Sequence, residues 1–185
     1  KNDNYEVSYS QRQLLLVNEL AEGYYGYIIT DNIVIEGALD VKILNDVFNE
    51  IIGRHESLRT KFIKEDGNFR QIILKHREFV IEEIDLSSDP NKEEKANILV
   101  SKKNTSRFDL YNDCLLRVSL IKLNRDKFLF VLAMHHIISD DWSMQVLTKE
   151  VFELYSAFKT RQVTPLMPLT LQYKDYAAWQ NKRLA

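Results

Sequence analysis

The sequence predicts an α+β fold, a mixed sheet layered with helices. Three observations lead there. Short runs rich in aromatic and β-branched residues recur between turn residues, as in Tyr27 to Ile35. Between them, apolar residues repeat at helical spacing, as in Leu39, Ile43, Val47 and Ile51. Helical and hairpin patterns alternate along the whole chain, which argues for layers of both kinds around one core.

The elements follow in order. Ser10 and Gln13 form an S-x-x-Q capping box ahead of Leu14, Leu15, Leu16 and Leu20, so a first helix starts at Ser10 and ends at Gly23. Tyr27 to Ile35 is a strand. Leu39 to Ile52 is an amphipathic helix, with Leu44, Phe48 and Ile52 beside the main stripe and Gly53 as its stop. Leu58 to Lys64 and Phe69 to Lys75 flank E-D-G-N, a hairpin turn. Phe79 to Ile84 is a further short strand. Ser88 to Ser106 is polar but carries Ala96, Leu99 and Val100 at helical spacing. Leu116, Val118 and Leu120 alternate with Arg117 and Ser119, a half-buried strand, and the turn N-R-D follows. Phe128 to Met134 is an unbroken apolar run, read as a strand buried on both faces. Leu147, Val151, Leu154 and Phe158 mark another helix, with Asp140 or Asp141 at its N-cap. Pro165 and Pro168 bracket a linker, and a last helix covers Thr170 to Arg183.

Composition excludes several classes. The chain has 185 residues, 45% hydrophobic and 28% charged, ordinary for a globular domain with a real core. A formal net charge of −2 argues against nucleic acid or an anionic membrane as partner. One cysteine, Cys114, permits no internal disulfide and suits a reducing cytoplasm. No C-x-x-C or H-E-x-x-H spacing is present, so no metal site is expected. The start, K-N-D-N-Y-E, is not a signal peptide, and no apolar run approaches a membrane span.

The stretch M-H-H-I-I-S-D-D-W-S, Met134 to Ser143, ends the most apolar strand with histidines and acids. Neighbouring side chains on a strand point to opposite faces, so His135 and His136 cannot share one task. One enters a cavity at the strand end and the other packs against the body. An imidazole, with an unperturbed pKa of about 6.5, is a suitable general base near neutrality. Asp140 can fix the loop or pair with an arginine. The helix that follows aims its backbone N–H groups back at the site.

H-H-I-I-S-D-D-W-S resembles the H-H-x-x-x-D-G-x-S signature of condensation domains from nonribosomal peptide synthetases. Three further stretches agree in order. S-Y-S-Q-R-Q-L-L-L, from Ser8, is similar to the opening S-x-A-Q-x-R-L-W motif. R-H-E-S-L-R-T-K-F, Arg54 to Phe62, matches the second motif, and Y-K-D-Y-A-A-W, Tyr173 to Trp179, matches the fourth. F-D-L, Phe108 to Leu110, followed by L-L-R, is also similar to the family.

The resemblance implies a chloramphenicol-acetyltransferase-like lobe with a largely antiparallel sheet. In such domains two lobes form a V with a tunnel between them, and residues 1–185 are expected to be the N-terminal lobe of a larger synthetase. It implies amide bond formation between an acyl or peptidyl thioester donor and an aminoacyl thioester acceptor. Both are carried on the phosphopantetheine arms of peptidyl carrier domains, with an adenylation domain and a C-terminal lobe as neighbours and no directly bound cofactor. His136 is the implied catalytic residue. His135, Asp140, Asp141 and Ser143 surround it, and Asp140 is expected to pair with Arg54 or Arg59. The family's glycine after the aspartate is Asp141 here, a position where positive φ and close backbone approach are at issue. A histidine rather than aspartate at 135 argues against a cyclising subtype, and the pattern favours joining two L-residues. An epimerisation domain, a non-catalytic carrier-binding module and a free-standing acyltransferase are the alternatives.

The remaining distinctive residues have ordinary explanations. His55 is expected to make a structural hydrogen bond and His76 to face solvent. Cys114 is expected to be buried and inert. Lys92 to Lys95, K-E-E-K, reads as a solvated helix face, and Trp142 and Trp179 read as packing residues.

Overall fold

The computed structural model describes residues 4–20 and 26–184. It is α+β, with two sheets rather than one. The strands β1 (Asn4–Glu6), β3 (Thr60–Glu65) and β4 (Asn68–Ile73) form an antiparallel sheet in the order β1-β4-β3. The strands β2 (Ile28–Glu36), β5 (Glu82–Asp85), β6 (Leu116–Asn124) and β7 (Lys127–His135) form a second sheet in the order β2-β7-β6-β5. It is antiparallel except for the β5–β6 pair, which is parallel. The helices are α1 (Tyr9–Leu20), α2 (Val41–Arg54), α3 (Lys92–Thr105), α4 (Asp141–Lys159) and α5 (Tyr173–Leu184), with a 3-10 turn over Glu56–Arg59.

The four-stranded sheet carries helices on both faces. Phe128, Phe130, Leu132 and Met134 of β7 join Leu44, Val47, Phe48 and Ile51 of α2 and Leu147 and Leu154 of α4 in one core. The rings of Phe48 and Phe130 stack with centroids 6.0 Å apart. On the other face Val131 packs with Ile121, Leu123 and Ala96 of α3. β7 is thus buried on both faces, as its unbroken apolar run requires.

Local chemistry explains where elements start and stop. The capping box at the first helix is Ser8 with Gln11, two residues earlier than expected. The Ser8 amide donates to Gln11 Oε1 at 2.9 Å, and the Gln11 amide donates to Ser8 Oγ at 3.2 Å. Gly23, the expected stop, lies outside the described residues. Asp40 caps α2 by accepting from the Ile43 amide at 3.0 Å, and Gly53 sits inside that helix rather than after it. In the β3–β4 turn Asp66 and Gly67 have φ of 49° and 77°. Both central residues are left-handed, as a tight hairpin turn matched to strand twist needs.

Two strand expectations change. Phe79 to Ile81 is not strand. Asn49 exchanges two hydrogen bonds with the Phe79 backbone, each 2.8 Å, and Asn45 Oδ1 accepts from the Ile81 amide at 2.9 Å. Side-chain amides of α2 thus take the place of a neighbouring strand, and pairing begins only at Glu82. β6 is not half-buried, because Ser119 is as deeply enclosed as its apolar neighbours. Its hydroxyl is satisfied by Glu82, to which it donates at 2.8 Å.

One buried carboxylate ties α2 to α4. Glu150 of α4 is only 6% exposed. It receives Arg54 Nε at 3.0 Å and His55 Nε2 at 2.6 Å. Arg54 also donates to the Met167 carbonyl at 2.5 Å, which holds the linker before α5. Removing one member of a buried charged group strands the others, so Glu150→Ala is expected to lose about 3 kcal/mol of stability in urea unfolding. A loss under about 1 kcal/mol, the size for an exposed pair, would show that this cluster does not fasten the two helices.

Candidate active site

β7 ends at His135, paired across to Ile28 of β2. The next amide, that of His136, donates to the Tyr27 carbonyl at 2.7 Å, so the chain is held to the sheet edge for one residue more. It then turns sharply, and the Ile138 amide donates back to the His135 carbonyl at 3.1 Å. Ser139 reinforces the turn by donating its hydroxyl to the same carbonyl at 3.2 Å.

The two histidines separate as the strand geometry requires. His135 is buried, 8% exposed. Its Nδ1 accepts the Ile137 amide at 3.1 Å, which puts the proton of the neutral ring on Nε2. Phe108 of the F-D-L stretch meets the ring edge-on, with centroids 6.2 Å apart and planes at 86°. Arg117 in turn covers Phe108 at 3.9 Å. Burial, and to a lesser degree the charge of His136, pushes the His135 pKa down to about 4. His135 is therefore neutral at physiological pH and serves as a packing and turn residue.

His136 is exposed and opens onto a cavity of about 470 Å³. The cavity wall includes Gln13 and Leu14 of α1, Tyr27, Asp140 and Tyr173. Among these polar groups the imidazole is the one whose ring nitrogens can both accept and donate a hydrogen bond.

Asp140 is the N-cap of α4. Its Oδ1 accepts the Ser143 amide at 2.8 Å and the Ser143 hydroxyl at 2.5 Å. These two bonds, with a smaller contribution from the charge of His136, hold its carboxyl below the usual range. The expected arginine partner is not there. Arg54 is engaged by Glu150, and Arg59 donates to the Leu74 carbonyl at 2.6 Å, with Glu56 at 3.8 Å. Neither arginine lines the His136 cavity. Ser143 meets Asp140 through its amide and hydroxyl. Asp141 is the first residue of α4 and is exposed, and no positive φ occurs there among the described residues. The position therefore makes no demand for glycine, and an acid in the first turn suits the helix dipole.

Other expectations divide. His55 is structural, through Glu150, and His76 is exposed. The K-E-E-K segment is largely solvated. Cys114 is exposed rather than buried. Trp142 and Trp179 are 72% and 52% exposed, so neither belongs to the core, and Trp179 packs only along the surface, against Tyr176 and Arg183. Both sit on outward helix faces that apolar character alone does not reveal. Tyr27 and Tyr173 join the site without a sequence signal of their own, although Tyr173 opens the Y-K-D-Y-A-A-W stretch. Among the described residues no three His, Cys, Asp or Glu side chains group as metal ligands, and no helix is long and apolar enough to cross a membrane.

Comparison with known proteins bears on the family and the fold. The family model for the condensation domain matches residues 1–185. Tyrocidine synthase 3 of Brevibacillus parabrevis is 37% identical over 178 residues, which cover 96% of this chain and 3% of that protein. Bacitracin synthase 3 of Bacillus licheniformis is 38% identical over 180 residues, covering 97% and 3%. The chain thus spans a few per cent of the length of these relatives. Among solved structures, the starter condensation domain of rhizomide synthetase RzmA superposes with a TM-score of 0.87 at 20% identity, covering 98% of this chain and 44% of that one. A chain of the complex of the X-domain and OxyB from teicoplanin biosynthesis superposes with a TM-score of 0.88 at 25% identity, covering 100% and 39%.

The depressed pKa of His135 has a defined sign. Between about pH 4 and the unfolded value near 6.5, the unfolded chain binds a proton at this residue that the folded chain does not. Stability from this group is therefore complete above that window and falls as pH drops through it. The slope is at most about 1.4 kcal/mol per pH unit. His135→Asn keeps an acceptor for the Ile137 amide and removes the titration. The gap in unfolding free energy between wild type and variant is expected to shrink as pH is lowered from 7 to 4. A constant gap would place the His135 proton equilibrium at its ordinary value.

Proposed function

The chain belongs to the condensation-domain family of nonribosomal peptide synthetases, and on that premise we propose that it is the N-terminal lobe of a domain that forms amide bonds between carrier-bound substrates. The observation that carries this reading is the separation of the two histidines. The buried His135 is neutral and fixed, while His136 stands on the wall of a cavity large enough for a thioester end and an amine.

In this reading the acceptor amine attacks the carbonyl carbon of the donor thioester. A C–N bond forms, the C–S bond breaks, and the donor carrier's pantetheine sulfur leaves as the thiol. His136 accepts a hydrogen bond from the attacking amine, takes its proton, and returns that proton to the departing sulfur as the tetrahedral centre collapses, so the imidazole ends neutral. Asp140 holds the turn through Ser143 rather than through an arginine, so it positions the loop without touching the reacting atoms. The chain matches 39% to 44% of the solved neighbours, which supports its assignment as one of two lobes. Donor and acceptor peptidyl carrier domains, an adenylation domain and the second lobe are the partners this implies. The identity of residue 135 and the Ser143-Met144 pair support the joining of two L-residues over cyclisation or epimerisation. A cytoplasmic setting accords with this role.

A second reading is a non-catalytic binding module, favoured by the likeness to a chain from the complex of the X-domain and OxyB. The intact synthetase, with its own loaded carrier domains, separates the two. Dipeptidyl thioester formation followed by mass spectrometry is expected to fall at least about 100-fold in His136→Ala, the size of a lost general base. Equal rates in both proteins would overturn the assignment of His136 as the base and leave the motif as architecture, and no product from either would overturn the amide-forming reading and favour the binding module. Asp141→Gly is expected to leave the rate within about twofold, since the residue is exposed and its backbone is helical. A tenfold gain would instead identify Asp141 as the mark of a decayed site.

A further inference from the structure

We propose that the Tyr173 hydroxyl is a substrate hydrogen-bond donor, aimed into the His136 cavity to hold a carbonyl oxygen of the carrier-bound thioester. The proposal rests on the amide-forming reading above and deepens it. The argument is a count of protons at two hydroxyl groups.

Ser8 is fully buried, 0% exposed. Its oxygen accepts the Gln11 amide at 3.2 Å and lies 3.0 Å from the Tyr173 hydroxyl. The serine proton needs an acceptor, because a buried hydroxyl without one carries a desolvation cost of about 1 to 3 kcal/mol. Among the described residues the acceptor within reach is Tyr173 Oη. Ser8 is therefore the donor of that pair and Tyr173 the acceptor. The tyrosine proton is left to point elsewhere, and Tyr173 lines the cavity that His136 opens onto.

Three features suit the group to this task. Its ring is held by Tyr176 at 5.5 Å, which is held in turn by Trp179 at 5.8 Å. Asp140, on the same wall, takes both Ser143 bonds on Oδ1, and among the described residues no hydrogen bond joins its carboxylate to the phenol. Although the residue as a whole is 37% exposed, desolvation of its enclosed part raises the phenol above its ordinary range, so it remains a donor at neutral pH. A donor complements His136, which acts as an acceptor toward the amine. Negative charge develops on the carbonyl oxygen as the amine attacks, and a fixed donor near that oxygen favours the step.

The test uses the intact synthetase in single-turnover formation of the dipeptidyl thioester. Tyr173→Phe keeps the ring and removes the donor. It is expected to slow the reaction about tenfold, the size of one lost hydrogen bond of about 1.4 kcal/mol, and to lower the Tm as well, because the buried Ser8 hydroxyl loses its acceptor. A ring-fluorinated tyrosine at 173, whose phenol ionises more readily, is expected to move the alkaline limb of the pH–rate profile to lower pH. A purely structural tyrosine would not move that limb, so an unmoved limb overturns the proposal even if Tyr173→Phe is destabilised. Full activity in Tyr173→Phe beside an inactive His136→Ala overturns the Tyr173 assignment alone. Full activity in both overturns the roles of Tyr173 and His136 together, and no product from the wild-type protein overturns the amide-forming reading itself.

Discussion

β7 has a strand on each side and helices over both faces, so its register decides which of two adjacent histidines is buried. A slip of one residue would exchange them, placing His136 against Phe108 and His135 on the cavity wall. Such a slip would also turn the Phe128, Phe130, Leu132 and Met134 side chains away from α2 and α4. The apolar core therefore enforces the chemistry at the strand's end. Nothing local to the histidines could do so, since both have the same side chain. The pairing of Ile28 with His135 and the bond from His136 to Tyr27 carry that register through to the last residue.

The stretches that carry the family pattern serve one another more than they serve the reaction. Arg54 and His55 meet Glu150 of α4. Glu56 receives Lys174, and its amide donates to Gln172 at 3.1 Å. Ser8 meets Tyr173, and the Tyr9 amide donates to Gln180 at 2.8 Å. Asn181 donates to the Val7 carbonyl at 3.1 Å. The first, second and fourth stretches form a frame around the cavity, and the third supplies the imidazole. A family signature of this kind records mutual anchoring as well as chemistry.

Helical periodicity and the unbroken run at Phe128 to Met134 made the helices and the central strand legible, because burial leaves a pattern in apolar spacing. What was not legible turned on polar partners. S-Y-S-Q-R-Q offers two overlapping S-x-x-Q boxes, and only the burial of Ser8 decides between them. Phe79 to Ile81 has strand composition, yet the amides of Asn45 and Asn49 claim its backbone. Asp140 has two candidate arginines in sequence, but Glu150, far along the chain from Arg54, holds one of them. That His135 and His136 point to opposite sides was legible from strand alternation, while alternation alone did not say which of them is buried. Which residue of α5 would join them was not legible, because that contact depends on how the chain's ends meet.

The cavity wall draws on α1 near the start of the chain and on Tyr173 near its end, and the Ser8–Tyr173 contact spans 165 positions. Contacts of such separation form late, since the intervening loop must be closed before they contribute. On a ribosome, the sheet that bears His136 can assemble before α5 has emerged. The imidazole then stands on an open surface until α5 seals the rim. The order of synthesis thus separates the building of the reactive strand from the completion of its enclosure, and a chain stalled between the two would present a folded sheet without a finished pocket.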